Sequence, residues 1–215
     1  MRSSGTMPSQ RDVDRLRTLA KTVGNDWTEG PYYDEAESVM DVQWQSVIWP
    51  LISGADFTCT VELAAGHGRN SEKLRPLADR LYVVDINVQN VEFLRHRFAD
   101  FDNIAVVHNN GFDLVDVPDE VATFVYSFDA MVHFDSDVIR AYLGEFRRVL
   151  KSGGQGFCHY SNYTGNPTGS YRDHPGWRNF MSVPMFEHYL AKEGLRPVES
   201  RLTGGDTDGI TLFEK

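Results

Sequence analysis

The stretch "TVELAAGHGRN", Thr60 to Asn70, runs an apolar segment into a turn carrying Gly66, His67, Gly68 and Arg69. Two glycines let the backbone turn sharply and approach a ligand with no Cβ in the way, and the N–H groups opening the next helix face the same space. Glu62 stands four residues before the first glycine, and Asp85 closes the next apolar run, "LYVVD". An acid about 20 residues beyond the turn is placed to accept both hydroxyls of an unphosphorylated ribose. The third glycine of a dinucleotide fingerprint is missing, Ser71 standing there, and no G-K-[ST] phosphate loop follows. The pattern points to a nucleoside-type ligand and disfavours nicotinamide.

A second group of residues could handle a proton. His133 follows Asp129 by four residues; on a helix the two share a face, and the carboxylate would orient the imidazole. His159 and Tyr160 end another apolar run, where alternation sends one of them to the ligand side. Asn162 and Tyr163 come next, and His174, Trp177 and Arg178 follow in a long polar segment. An Asn amide both donates and accepts, and an aromatic ring beside polar groups suits a carbohydrate face. Asp129, His133 and His159 are also the candidate ligands of a divalent cation, Mg2+ before zinc because there is no thiolate cluster. No tight ligand spacing such as H-x-x-x-H accompanies them.

These groups must be held by alternating elements. The spacing predicts helices over 11–23 and 35–49, the latter ended by Pro50, then strands over 58–64, 81–85, 104–109, 121–127, 155–160, 198–203 and 210–214. Helices over 70–78, 88–98, 137–150 and 184–193 lie between strands, the third closed by a turn at "KSGG". Strands separated by helices imply right-handed crossovers and a mostly parallel sheet covered on both faces, with ligands at its carboxyl ends. Residues 1–10 read as a flexible leader or tag and 11–57 as a helical cap. Residues 58–215 read as the core, with 161–183 as a substrate lid because so long a connection is usually functional.

Composition narrows the partners. Of 215 residues, 31 are acidic and 21 basic, a formal charge of −10 with no basic stripe, which argues against nucleic acid. No apolar run has the length of a membrane span and no signal peptide opens the chain, so a cytoplasmic location is expected. The two cysteines, Cys59 and Cys158, lie in apolar strand-like runs and read as buried free thiols.

In order and spacing, "VELAAGHGRNSEKL", "LYVVDIN", "NNGFDL", "FVYSFDAMVHFD" and "EFRRVLKSGGQGFCHYSN" resemble the class I S-adenosylmethionine-dependent methyltransferases. The resemblance covers Val61 to Tyr163. It implies a Rossmann-like α/β fold with seven strands, the last antiparallel. It also implies that Glu62, Ala64, Gly66, Gly68, Arg69 and Asn70 surround the amino-acid part of S-adenosyl-L-methionine. Arg69, always charged, is the better partner for the cofactor carboxylate. By the same resemblance Asp85 and Ile86 hold the ribose. Asn110, Gly111 and Phe112 flank the adenine, Asn110 replacing the acid frequent there, and Ser127 and Phe128 line the methionine side. Tyr33 closes over the cofactor, and Tyr32 over the acceptor. The G-H-G-R turn with "SNY" after the fifth strand looks most like small bacterial, including mycobacterial, polysaccharide and sugar O-methyltransferases.

The chain therefore reads as an O-methyltransferase acting on a hydroxyl of a sugar, oligosaccharide precursor or other polar small molecule. His133 or His159 would be the base, with Asp129 assisting. Tyr32, Tyr160, Asn162, Tyr163, His174, Trp177 and Arg178 are the candidate acceptor contacts. Methyl transfer to an amine or carboxylate, or a module that only binds the cofactor, are the alternatives. A homodimer is compatible with the apolar N-terminal helix.

Overall fold

The computed structural model describes residues 9–27, 30–165, 167–168 and 170–215. Most of the expected leader, residues 1–8, lies outside the described residues. Ser9 already caps α1 (Gln10–Gly24): its hydroxyl takes the Asp12 N–H while the Asp12 carboxylate takes the Ser9 N–H. α2 (Tyr32–Gln43) then runs through a π-helical turn, Trp44–Ile48, into α3 (Trp49–Ile52). The expectation that Pro50 ends this helix is therefore corrected. Proline has no N–H for the carbonyl four residues back. The wider turn carries the Trp49 N–H to the Trp44 carbonyl instead, and Pro50 falls in the first turn of α3, where no donor is needed.

Seven strands form one sheet: β1 (Cys59–Leu63), β2 (Arg80–Asp85), β3 (Ile104–His108), β4 (Ala122–Met131), β5 (Leu150–Ser161), β6 (Arg196–Thr203) and β7 (Asp208–Glu214). Their order is β3-β2-β1-β4-β5-β7-β6, with β7 antiparallel to both neighbours and the other pairs parallel. This is the mostly parallel Rossmann-like sheet expected. α4 (Arg69–Leu74), α5 (Val88–Arg97), α6 (Ser136–Val149) and α7 (Val183–Lys192) complete the crossovers. β1 is buried along its whole length because helices cover both faces of the sheet. One core joins the sheet to α1, α6 and α7 through residues such as Ala20, Phe146 and Phe186. The other joins it to α2, α3, α4 and α5 through Met40, Ile52, Leu74 and Leu94. Cys59 and Cys158 are buried free thiols.

Two strands differ from expectation in ways that matter for the site. β4 continues past Ser127 to Met131, with a register irregularity against β5 and Asp129 in the left-handed region at φ 60°. A bulge of this kind re-aims side chains at a strand end. β5 begins at Leu150, so "KSGG" is strand and not turn. The Gly153 N–H donates to the Lys215 carbonyl, and the Lys215 N–H to that of Gly154. The 161–183 segment is not structureless either. It holds 3-10 turns at Tyr171–Asp173 and Pro175–Trp177 and a parallel bridge between Tyr163 and Phe180. Among the described residues no helix is long and apolar enough to cross a membrane.

Sheet order reverses between β1 and β4, and the carboxyl ends of β1, β2 and β4 open there into one cleft. Gly156 on β5 shows how closely the sheet beneath it is packed. A Cβ at that position would lie 2.2 Å from Phe213 and 2.5 Å from Val125, both fully buried. Gly156→Ala is expected to destabilise the fold by about 1–3 kcal/mol through overpacking, read as a lowered denaturant midpoint at unchanged slope.

Candidate active site

The turn after β1 is built from left-handed backbone. Ala64, Gly66 and Gly68 have φ of 57°, 58° and 87°, and α4 starts at Arg69. A Cβ on Gly66 would stand 2.7 Å from the Tyr33 ring, and one on Gly68 would stand 2.7 Å from Phe98 and 2.9 Å from Leu94. One glycine thus admits the N-terminal cap and the other admits α5. His67 is stacked between Tyr33, at 3.7 Å, and Phe93, at 4.1 Å, so its role here is packing.

Asp85, at the end of β2, is buried and accepts three hydrogen bonds. Oδ2 takes the Gly66 N–H at 2.8 Å, and Oδ1 takes the Asn87 N–H at 2.8 Å and Asn90 Nδ2 at 3.2 Å. Burial pushes its carboxyl up, against the pull of these donors. Asn87 and Asn90 also donate to the Trp27 carbonyl, and Tyr33 donates its hydroxyl to the same oxygen, so the cap is tied to β2. Burial raises the Tyr33 hydroxyl to about 12, which keeps it a donor.

Two adjoining cavities flank Asp85, of about 670 Å³ and about 360 Å³. They share Val23, Gly24, Ala64, Asp85, Ile86 and Phe134. The smaller one runs under α1 and is lined by Ala20, Ile86, Asn109, Gly111 and Tyr142. Asn110 does not line it. Its Oδ1 takes the N–H groups of Phe112 and Asp113, so Asn110 caps the loop while Asn109, bonded to the Tyr142 hydroxyl, faces the cavity. Phe112 is buried but lines neither cavity.

The larger cavity holds the groups that could do chemistry. Arg69 is buried, bonds the Ala36 carbonyl and Gln43, and pairs with Asp129 at 2.5 Å; the Tyr32 hydroxyl donates to the same carboxylate at 2.7 Å. His133 is buried, its ring stacked 4.6 Å from Trp27. Its Nδ1 lies 2.7 Å from the Trp177 carbonyl. A carbonyl only accepts, so Nδ1 carries the proton. Burial holds the imidazole below its ordinary value, the ring is neutral, and Nε2 keeps its lone pair. The expected Asp129–His133 pairing is not made, because the segment between them is bulged strand and turn instead of helix.

His159 and Tyr160 part as alternation requires. Tyr160 is fully buried against Phe186 and bonds Thr211, so it is core and not an acceptor contact. His159 packs on Phe128 and accepts the Asp129 N–H on Nδ1 at 3.1 Å; Nε2 faces Asp208 at 3.3 Å. Arg178 from the 161–183 segment grips Asp208 with two hydrogen bonds of 2.6 and 2.7 Å. Burial pushes Asp208 up, but Arg178 and His159 outweigh it and hold the carboxyl at about 2.

Several other expected contacts are structural as well. Ser127 donates to the Leu63 carbonyl inside the sheet, and Asn162 bridges the Asp206 carbonyl and the Val183 N–H. Tyr163 pairs with Phe180, and the His174 ring binds the Arg178 carbonyl. Trp177 packs edge-on against Trp27. Trp27, Asn87, Asn90 and Phe134 line the cleft without having been singled out. The amides in "DINVQN" were a usable signal, because polar residues directly after a strand-ending acid have the ligand side of the sheet as their nearest partner.

No cluster of three metal-ligating side chains forms among the described residues. Of the proposed cation ligands, Asp129 is taken by Arg69 and Tyr32, and the His159 Nδ1 lone pair by an N–H.

Comparison with known proteins bears on this geometry. The family model described as "Methyltransferase domain" matches residues 61–154, from β1 into β5. That stretch, under half of the chain, is similar to this domain. The fold is the Rossmann-like fold of the class I methyltransferases. A curated relative, dimethylglycine N-methyltransferase of Parasynechococcus marenigrum (strain WH8102), is 36% identical over 100 residues, 45% of this chain; the match spans 35% of that relative's length. Geranyl diphosphate C-methyltransferase from Streptomyces coelicolor A3(2), in complex with Mg2+, geranyl diphosphate and S-adenosyl-L-homocysteine, superposes with a TM-score of 0.67 at 12% identity over 99% of both chains. A SAM-dependent methyltransferase from Aquifex aeolicus gives 0.59 at 13% identity, covering 82% of this chain and 97% of its own.

Within the matched stretch, Glu62 supports the turn from behind. It is buried, Oε2 accepts the Ser71 hydroxyl at 2.5 Å, and Oε1 has no partner. Burial raises its carboxyl from 4.5 to about 8, so it is protonated at neutral pH. The folded state then holds a proton that the unfolded chain releases above pH 4.5, and stability falls as pH rises from there through about 8. Glu62→Gln is expected to remove that slope and to gain in Tm relative to wild type as pH is raised from 5 to 9. A constant Tm difference across that range would show Glu62 to be ionised in the fold.

Proposed function

We propose that the protein transfers a methyl group from S-adenosyl-L-methionine to a hydroxyl of an uncharged polar small molecule, a sugar or polysaccharide precursor being the first class to test. When bound, the cofactor supplies an electrophilic methyl on a sulfonium. The residues present suit it. The left-handed turn at Gly66–Gly68 leaves room for close backbone approach. Asp85 is the ribose acceptor, and the smaller apolar cavity matches the adenine.

The observation that carries the reading is the tautomer of His133. The Trp177 carbonyl fixes the proton on Nδ1, so Nε2 is left bare in the cleft to take a hydroxyl proton as the oxygen attacks. His159 is the weaker candidate, because its Nδ1 is already an acceptor and it lies behind Phe128. His159 acts instead by holding Asp129.

A second reading, methyl transfer to an amine, is favoured by the dimethylglycine relative. A tertiary amine needs no base. A glycine derivative would need a cation for its carboxylate, however, and the arginine lining the cleft, Arg69, is already bound to Asp129. The cap and the 161–183 segment, which supply Trp27, Tyr32 and Trp177 near His133, also lie outside the matched stretch 61–154. The relative's acceptor therefore carries over weakly.

Calorimetry with S-adenosylhomocysteine is expected to give binding that Asp85→Ala abolishes. Failure of the wild type to bind would end the methyl-transfer reading. With neutral sugars and polyols screened beside dimethylglycine, His133→Ala is expected to lower kcat about 10²- to 10⁴-fold while leaving that binding intact. The acid limb of the kcat/KM profile should fall below 6.5, since burial lowers His133 and the base works only above its own pKa. Turnover of dimethylglycine undiminished in His133→Ala would establish the amine reading.

A further inference from the structure

Two non-glycine residues beside the cleft, Asp129 and Trp177, hold left-handed backbone, with φ of 60° and 55°. A bulky side chain stays in that region only where its surroundings enforce it. The Trp177 ring, 40% exposed, is a poor source of that constraint. The constraint comes from Arg178. Its guanidinium reaches back over Trp177 to the Gly176 carbonyl, Nη1 donating at 2.6 Å, while Nε and Nη2 hold the two oxygens of Asp208 at 2.6 and 2.7 Å. One side chain thus spans Trp177, from the residue before it to the residue after it. The planar fork keeps that direction because a carboxylate fills it.

Asp208 gives the fork a fixed seat. It is 3% exposed and opens β7, where its backbone pairs with Ser161 on one side and Thr203 on the other. Room for the carboxylate is left by Gly204, φ 61°, at which a Cβ would lie 2.7 Å from Asp208 Oδ2. The same oxygen faces Nε2 of His159 at 3.3 Å, and Nδ1 of His159 takes the Asp129 N–H. Both left-handed residues therefore trace to one buried carboxylate near the end of the chain.

We infer that Asp208 is a positioning residue for the base: acting through Arg178, it fixes the Trp177 carbonyl that keeps the His133 proton on Nδ1 and leaves Nε2 bare. This rests on the reading of His133 as the base. Without the carboxylate the guanidinium loses its partner, the turn at Gly176–Trp177 relaxes, and nothing holds the proton on Nδ1. A proton on Nε2 turns that nitrogen from acceptor into donor, and a base in the wrong tautomer cannot take a proton.

The test is long-range proton–nitrogen NMR of the His133 imidazole above pH 6.5, where the ring is neutral. It reads the tautomer without any methyl acceptor, on wild type, Asp208→Asn, Arg178→Lys, Arg172→Ala and Gly156→Ala. Wild type is expected to show one tautomer, protonated on Nδ1. Asp208→Asn removes the charge at constant shape, and Arg178→Lys replaces the fork by a point charge; each should shift the ring to a mixture containing the Nε2-protonated form. Arg172→Ala frees the same segment from Asp26, and Gly156→Ala lowers stability elsewhere, and neither should move the tautomer. An unchanged tautomer in both Asp208→Asn and Arg178→Lys would overturn the inference. A mixture in Arg172→Ala or Gly156→Ala would overturn it too, by making the tautomer a matter of general stability. Should Asp208→Asn fail to fold, Arg178→Lys decides alone. A wild type with the expected tautomer that binds no S-adenosylhomocysteine would remove the methyl-transfer reading, and with it the base that Asp208 positions.

Discussion

A buried carboxylate at the end of β2 is the constraint on which the site depends. Asp85 cannot sit there without donors, and the donors it gathers are the Gly66 amide of the turn, the Asn87 amide opening α5, and the Asn90 side chain. The same two asparagines hold the Trp27 carbonyl, and Asn87 also holds that of Gly24 at the end of α1. The cap is therefore anchored to the strand end through amides that would otherwise need water. Trp27 then stacks on His133, so the imidazole inherits its position from the acid across the cleft.

The opposite wall depends on a second chain of contacts. Asp129 adopts a left-handed backbone, which costs on the order of 1–3 kcal/mol unless its surroundings fix it. His159 accepts its N–H, Asp208 faces the other nitrogen of that imidazole, and Arg178 clamps Asp208. The 161–183 segment thus stabilises the strained residue from three steps away, and its Trp177 carbonyl sets the tautomer of His133. Arg172 and Tyr171 of the same segment bind Asp26, which joins it to the cap. Both roofs of the cleft are held to each other as well as to the sheet.

The strand-and-helix alternation was legible because each parallel strand is a short apolar run punctuated by its own turn chemistry. The ligand side followed from where the polar residues fell. What could not be read was anything set by backbone irregularity. The bulge that carries β4 to Met131 moved Asp129 off the face it was expected to share with His133 and gave it to Arg69 and Tyr32. The π turn before Pro50 has no local signature, since it arises from fitting a proline into a helix that tertiary packing continues. Asn109 and Asn110 are indistinguishable in sequence, and only the loop geometry sends one to the cavity and the other to a cap. Tyr160 and Asn162 went to the core and to a loop clamp because β7 covers that part of β5, a long-range pairing invisible to residue spacing.

The division between domain and roof governs how far similarity can reach. Residues 61–154 contain the turn, Asp85 and His133. The walls nearest His133 come from Trp27 and Tyr32 before that stretch and from Trp177 after it. A relative aligned over 100 residues can share the first set and differ wholly in the second. Arg69 and Asp129 neutralise each other, and the cleft beside them is walled by aromatic rings and the His133 imidazole. The ion pair that steadies the strained Asp129 also occupies the guanidinium that lines the cleft, so backbone strain and the charge presented by the cleft are set by one contact.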